Sequence, residues 1–241
     1  MFGLFESGKS IFDSGFLRNS SDSHSHILYG VDDGVKTQEE SLQILKCLEE
    51  AGVETLWLTP HIMEDVPNTS EALKARFAEL QSVYKGGIRL RLAAEYMLDN
   101  LFMERLRAGD LLLHGENYVL VESSIAAPPV NLWEILTETF GRGYVPILAH
   151  PERYLYFPQD DYAKLREMKV PMQLNIFSLT GIYGESVRAR ARYLLKGGFY
   201  SMWGSDCHRY KVLMQQYSSV KLKKDILSLL DSLKVMPGGS I

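Results

Sequence analysis

Cysteine is scarce. The 241 residues contain only Cys47 and Cys207, and two cysteines cannot build a disulfide framework. Long apolar runs are missing too. No stretch approaches the roughly 20 residues that a membrane-spanning helix needs, so the chain is not expected to be integral to a membrane. Neither sign of charge dominates: 26 Lys and Arg stand against 30 Asp and Glu, a formal net charge of −4. That balance argues against nucleic acid as the main partner. The opening segment, MFGLFESGKSIFDSGFLRNS, mixes acids with bases and has no long apolar centre, so it does not read as a secretory signal. These absences together predict a cytoplasmic protein with reduced thiols. What is present is ordinary for a globular chain, 46% hydrophobic and 23% charged residues, with enough length for a sizeable core.

From about residue 40 the pattern alternates between helical and extended periods. Residues 39–51 space Leu42, Leu45 and Leu48 three apart along one face of a helix, which Gly52 closes. A second helix is predicted over residues 70–84, opened by Ser70. The segments ETLWLT, IRLRLAA, NYVLVE, VPILA, MQLNIF and FYSMWG read as strands, and another lies just before His24, seven in all. Helices LDNLFMERLR, NLWEILTETFG, DYAKLREM and SVRARARYLLKGG fall among them, with VKLKKDILSLLDSL as a last helix. Such alternation favours parallel β/α architecture, although a doubly wound sheet would give the same string. No linker-like break follows residue 20. The expectation is therefore one domain over residues 20–241 behind an N-terminal tail, residues 1–19.

Residues 3–10, GLFESGKS, match the phosphate-loop pattern G-x-x-x-x-G-K-[ST]. Such a loop needs a preceding buried strand to aim its amides and a following helix to receive the phosphates. Only Met1 and Phe2 precede Gly3, and IFDSGFLRNS has little helical drive. The match is read as coincidence, with a nucleotide-binding regulator as the rival.

The informative residues stand at the ends of the predicted strands. His24 and His26 alternate, so in an extended segment both point to one side. Asp33 follows in VDDG, where Asp32 and Gly34 suggest a turn. His61, Glu95, Glu122, His150 and the pair Asp206 and His208 each follow a strand. In a parallel barrel such ends share one face, where active sites are built. Singly, each residue has a plainer reading as a structural histidine or a rim charge. Jointly they do not, because five of the six histidines occupy strand ends and four carboxylates crowd beside them. Like charges resist such crowding, and divalent cations relieve it. Imidazole and carboxylate donors suit Mn, Fe, Zn or Co, and clustered ions are typical of phosphoester hydrolysis.

The segments HSHILYGVDDG, TPHIM, AAEYMLD, NYVLVE, ILAHPERY and GSDCH, in that order, resemble the polymerase-and-histidinol-phosphatase (PHP) superfamily. Within it, the chain resembles the bacterial manganese-dependent protein-tyrosine phosphatases of capsular and exopolysaccharide operons. HSH, VDDG and HPERY together separate that branch from histidinol phosphatases, which commonly carry histidine at the position of Asp33.

The resemblance covers roughly residues 20–210 and implies a distorted seven-stranded (β/α) TIM-like barrel, the PHP fold. It implies up to three ions, Mn²⁺ first and Fe, Co or Zn as alternatives. His24, His26, Glu95 and Asp206 would hold the first ion, and Asp33, His61 and His208 the second. Glu122 and His150 would hold the third, with Glu95 bridging it to the first. Arg153 matches the family arginine that grips phosphate. A second family arginine, beyond the last metal histidine, has no counterpart in RYKVLMQ, which leaves Arg209 or Lys211 to replace it. The implied partner is a phosphotyrosine protein, the tyrosine-rich tail of a membrane-associated kinase of polysaccharide export; an oligomer is left open. The residues agree with an enzyme that needs no thiol nucleophile: Val53 and Leu213 stand six residues after the two cysteines, where the C-x₅-R loop of thiol phosphatases has arginine. The rivals are a PHP phosphatase of a small phosphomonoester, of the histidinol phosphate kind, and a catalytically dead interaction module. Tyr154, Tyr156 and Phe157 are candidates to pack on a substrate ring, or else on their own loop.

Overall fold

A computed structural model of the chain describes residues 8–234. In chain order the elements are β1 (Lys9–Ser10), α1 (Ile11–Ser14), β2 (Ser20–Asp22), α2 (Gln38–Ala51), β3 (Val53–Leu58), β4 (His61–Ile62), α3 (Ser70–Val83), β5 (Arg89–Leu92), β6 (Glu95–Met97) and α4 (Asn100–Ala108). There follow β7 (Tyr118–Glu122), α5 (Leu132–Gly141), β8 (Val145–Ala149), α6 (Gln159–Glu167), β9 (Met172–Asn175), α7 (Glu185–Lys196), β10 (Tyr200–Gly204), α8 (Tyr210–Ser219), β11 (Lys221–Leu222) and α9 (Lys224–Leu230). The fold is mixed α/β with parallel sheets: β2-β3-β5 form one, β10-β9-β8-β7-β6-β4 another.

The predicted strands all form, and β7, β8 and β9 are apolar runs largely buried on both faces, whereas β2 is Ser-Ser-Asp and β5 alternates Arg with Leu. In β7, Val119 and Val121 enter the main core while Leu120 turns to a smaller cluster with Ile147, Ala149 and Met202. Two strands are interrupted. Thr59 and Pro60 separate β3 from β4, and Ala93 and Ala94 separate β5 from β6, so the chain crosses between the two sheets there. Beyond β10, the chain is tied to the segment after β2: Ser23 donates to the Trp203 carbonyl, Asp206 N to the His24 carbonyl (2.8 Å) and His26 N to the Cys207 carbonyl (3.0 Å). Gly204 permits this approach, since a Cβ there would sit 2.5 Å from that of His24.

Helix α2 begins at Thr37, whose hydroxyl accepts from Glu40 N, and ends at Gly52 with φ 93°. Helix α3 is capped by Thr69 rather than Ser70. Helix α8 was not anticipated. The last predicted helix starts later than expected, because Lys221–Leu222 pairs antiparallel with Lys9–Ser10 as β11 and β1.

The segment expected to trail as a tail is packed where it is described. Ile11, Phe16 and Leu17 are buried in the core, with the Phe16 ring edge-on to Trp203 at 5.1 Å. Of the phosphate-loop match, residues 3–7 lie outside the described residues. Ser10 accepts from Asp13 N and caps α1, a single turn. Among the described residues no helix is long and apolar enough to cross a membrane.

Candidate metal centre

All nine predicted donor residues converge: most stand at the carboxyl end of a strand, His61 and Glu95 open the short strands β4 and β6 just beyond β3 and β5, and Asp33 lies in the turn between β2 and α2. Ligand-type atoms lie close together in four overlapping groups: His26 with Asp33, His61 and His208; His24 with Glu95 and His150; His24 with His26 and Asp206; and His61 with Glu95 and Glu122. The strand pattern explains the convergence. His24 and His26 point inward while Ser25 between them turns away, donating to the Trp57 carbonyl. Two of the donors hold backbone angles no pattern reveals, with φ 35° at His150 and 51° at Asp206.

Glu95 is the centre. It is fully buried, and Oε2 stands 3.2 Å from His24 Nε2, His26 Nε2 and His61 Nδ1, yet it makes a hydrogen bond with none. The Nε2 atoms of His24 and His26 approach to 3.0 Å. Atoms with lone pairs facing a common point, rather than donors facing acceptors, fit divalent cations. Charge agrees. Burial would raise the Glu95 pKa, but the charge of His24, the hydrogen bond with His150 and the closeness of His26 outweigh it and hold the carboxyl well below its usual range. For Asp206, burial is likewise outweighed by His24 and His26. A hydrogen bond from His208 lowers Asp33. Burial disfavours charged imidazoles, yet facing carboxylates raise His24, His26 and His61 above the ordinary histidine value. Without metal, the cluster draws in protons as counter-charge, and cations can take their place. Both cysteines stay apart. Cys207 is buried, with its thiol pKa pushed up by burial.

Seven of these donors, all but the deeper His24 and His26, floor a cavity of about 490 Å³ whose walls include Ile125, Phe177, Ile182, Tyr183 and Val212. Arg153 is the only Arg or Lys among its described lining residues. Its Nη1 donates to Asp206 Oδ2 (3.1 Å), and its guanidinium lies over the Tyr183 ring, 4.7 Å from the centroid. Arg209 is elsewhere. Its Nη1 donates to the Gly34 carbonyl and to the His208 carbonyl (2.7 Å), and neither Arg209 nor Lys211 lines this cavity. Tyr154 and Phe157 are buried in loop packing, and the Tyr156 hydroxyl donates to Ser123 Oγ and the Ser124 carbonyl.

Sequence reasoning missed the residues that hold the donors. Asp32 Oδ2 accepts from His26 Nδ1 (2.8 Å), Gln173 Oε1 pairs with His24 Nδ1 (2.7 Å), and Asn175 Nδ2 donates to Asp206 Oδ2 (2.8 Å). Gln173 and Asn175 lie on the one predicted strand that ends in no ligand-type residue, so nothing in their types marked them.

A family model described as capsular polysaccharide synthesis, CpsB/CapC, matches residues 20–219. The chain is 28% identical to CapC of Staphylococcus aureus over 213 residues, 84% of each chain. It is 27% identical to the tyrosine-protein phosphatase CpsB of Streptococcus pneumoniae over 228 residues, 84% of this chain and 93% of that one. Among solved structures, one from the work on the metal-dependent tyrosine phosphatases YwqE of Bacillus subtilis and CpsB of S. pneumoniae superposes with a TM-score of 0.73 and 22% identity, covering 89% of this chain and 95% of the other. With the family model spanning most of the length, the chain belongs to the CpsB/CapC family of capsular polysaccharide synthesis.

Proposed function

We propose that this chain is a metal-dependent protein-tyrosine phosphatase acting on the tyrosine-rich tail of a cytoplasmic, membrane-associated kinase that regulates capsular or exopolysaccharide synthesis. The observation that carries the reading is the convergence of nine nitrogen and oxygen donor residues with Glu95 at their centre, beside Arg153, in a CpsB/CapC chain. We infer a distorted seven-stranded (β/α) barrel built from β2 to β10, in a domain that begins at residue 20, with β3 continued by β4 and β5 by β6. The hydrogen bonds joining Ser23 and His26 to residues after β9 support its closure.

In this reading His24, His26, Glu95 and Asp206 hold one ion and Asp33, His61 and His208 a second. Glu122 and His150 hold a third, with Glu95 shared. The mutual proximity of these side chains supports the sets, though His61 also approaches Glu122 at 3.2 Å. Mn²⁺ is the first candidate for this mixed donor set. Bound cations supply Lewis-acid charge to the phosphoryl oxygens and ease deprotonation of water at neutral pH. Arg153 contributes directional hydrogen bonds to the phosphoryl group. Tyr183 and Asp206 orient its guanidinium before substrate arrives. Phe177, Ile182, Tyr183 and Val212 give the cavity an apolar wall against which a flat ring can pack. A phenolate, with a pKa of about 10, also leaves with less protonation than an alkoxide.

The test is a comparison of substrates. A phosphotyrosyl peptide should be hydrolysed with a kcat/KM exceeding that for histidinol phosphate by about tenfold or more. The reverse order would make the chain a small-metabolite phosphatase.

A further inference from the structure

The turn that carries Asp33 is held from two sides by charged residues that line no part of the cavity. Asp32 is on one side. Its buried carboxylate accepts three hydrogen bonds: Oδ2 from His26 Nδ1 (2.8 Å) and His61 N (3.1 Å), and Oδ1 from Gly34 N (2.8 Å). Lys36 Nζ donates to the Asp32 carbonyl (2.6 Å). Arg209 is on the other side, with Nη1 shared between the carbonyls of Gly34 and His208. Gly34 leaves no room for a side chain, since a Cβ there would lie 2.2 Å from the His26 carbonyl oxygen.

Each contact fixes something the donor cluster needs. An imidazole whose Nδ1–H donates to a carboxylate presents a lone pair at Nε2. For His26 that Nε2 faces Glu95 Oε2 at 3.2 Å and Asp206 Oδ1 at 3.3 Å. The amide of His61 is tied to the same carboxylate oxygen. Arg209 joins the turn just after Asp33 to the chain at His208, and the two side chains it brackets meet at 3.3 Å.

We propose that Asp32 and Arg209 are positioning residues: together they clamp residues 32–34, set the His26 tautomer and hold Asp33 and His208 in register for one divalent cation. This rests on the metal reading above. It assigns Arg209 to the cation site rather than to substrate phosphate.

The test uses the full chain and four proteins: wild type, Asp32→Asn, Arg209→Ala and Arg209→Lys. Mn²⁺ binding is followed by calorimetry, and the Zn²⁺-loaded, diamagnetic proteins are examined by ¹⁵N NMR with labelled histidine. Asp32→Asn should weaken Mn²⁺ binding by about 10–100-fold and abolish the hydrogen-bonded Nδ1–H signal of His26. Arg209→Ala should lower Mn²⁺ occupancy and kcat together, leave KM for a phosphotyrosyl peptide within about twofold, and be partly rescued by Arg209→Lys, whose ammonium can still reach a carbonyl. Wild type that binds no Mn²⁺ would overturn the metal reading and this inference with it. Tight wild-type binding, with affinity and tautomer unchanged in Asp32→Asn, would overturn this inference alone. So would an Arg209→Ala enzyme with full metal and a raised KM, the signature of a phosphate anchor. Should Asp32→Asn fail to fold, the Arg209 pair decides the outcome.

Discussion

His150 and Asp206 hold left-handed backbone angles, a conformation that costs a non-glycine residue about 1–3 kcal/mol and persists only when its surroundings enforce it. Both lie just past a strand end, and in each the unusual φ turns the side chain toward Glu95 or its neighbours. Arg153 follows from the same loop. Its guanidinium is confined between Asp206 and the Tyr183 ring, so its shape matters as much as its charge. Arg153→Lys should lower kcat/KM for a phosphotyrosyl peptide by about 10–100-fold, equivalent to roughly 1.4–2.8 kcal/mol, with Mn²⁺ content unchanged. Steady-state kinetics paired with metal analysis checks this, and constants within about twofold of wild type would return Arg153 to a structural pair. At this scale the donors were legible because residue type and strand-end position coincide. Asp33 was read as the donor and Asp32 as part of the turn, but nothing in the sequence marked Asp32 as the acceptor for His26 Nδ1. The carbonyl contacts of Arg209 leave no mark on the sequence, so a nearby cation read as a phosphate anchor.

Among the elements, the loop after β8 shows how scaffold and site share one motif. Glu152, fully buried beside Arg153, accepts from Asn175 N (3.0 Å), Ser178 Oγ (2.7 Å) and Tyr200 Oη (2.9 Å), joining β8's loop to β9 and β10. Removing it would strand three buried donors. Glu152→Ala should cost about 3 kcal/mol or more in urea unfolding, while an exposed acid such as Glu71→Ala should stay within about 0.5 kcal/mol. Equal, small effects would show that Glu152 bears no structural role. β7, β8 and β9 were legible because burial on both faces writes them as largely apolar runs. Helix α8 was hidden because its buried face includes Gln216, which pairs with Thr180 Oγ1 at 2.5 Å and breaks the apolar period. The β1–β11 pairing joins residues more than two hundred positions apart and has no local signal.

For the whole molecule, Ile11, Phe16 and Leu17 anchor the segment before β2 in the core, and Leu17→Ala should lower stability by about 2–5 kcal/mol in thermal or urea unfolding. A loss under about 0.5 kcal/mol would mean that the segment packs loosely. The sixth histidine, which belongs to none of the donor groups, supplies a pH test. His114 is buried against Trp57, at 4.4 Å between rings, and burial lowers its pKa to about 3. A neutral imidazole buried in this way contributes stability fully above the unfolded value near 6.5, and the contribution drains away as pH falls from there toward 3. His114→Phe should therefore flatten the acid loss of stability across that window, by up to about 4 kcal/mol. Parallel stability profiles of variant and wild type from pH 7 to 4 would contradict it. The central claim is that a donor cluster built around Glu95 works through bound cations. Its most direct test is phosphotyrosyl-peptide turnover by full-length protein stripped of metal, verified by elemental analysis, and then titrated with Mn²⁺. The account predicts that turnover vanishes on stripping and returns as Mn²⁺ fills the site; full activity in verified metal-free protein would contradict it.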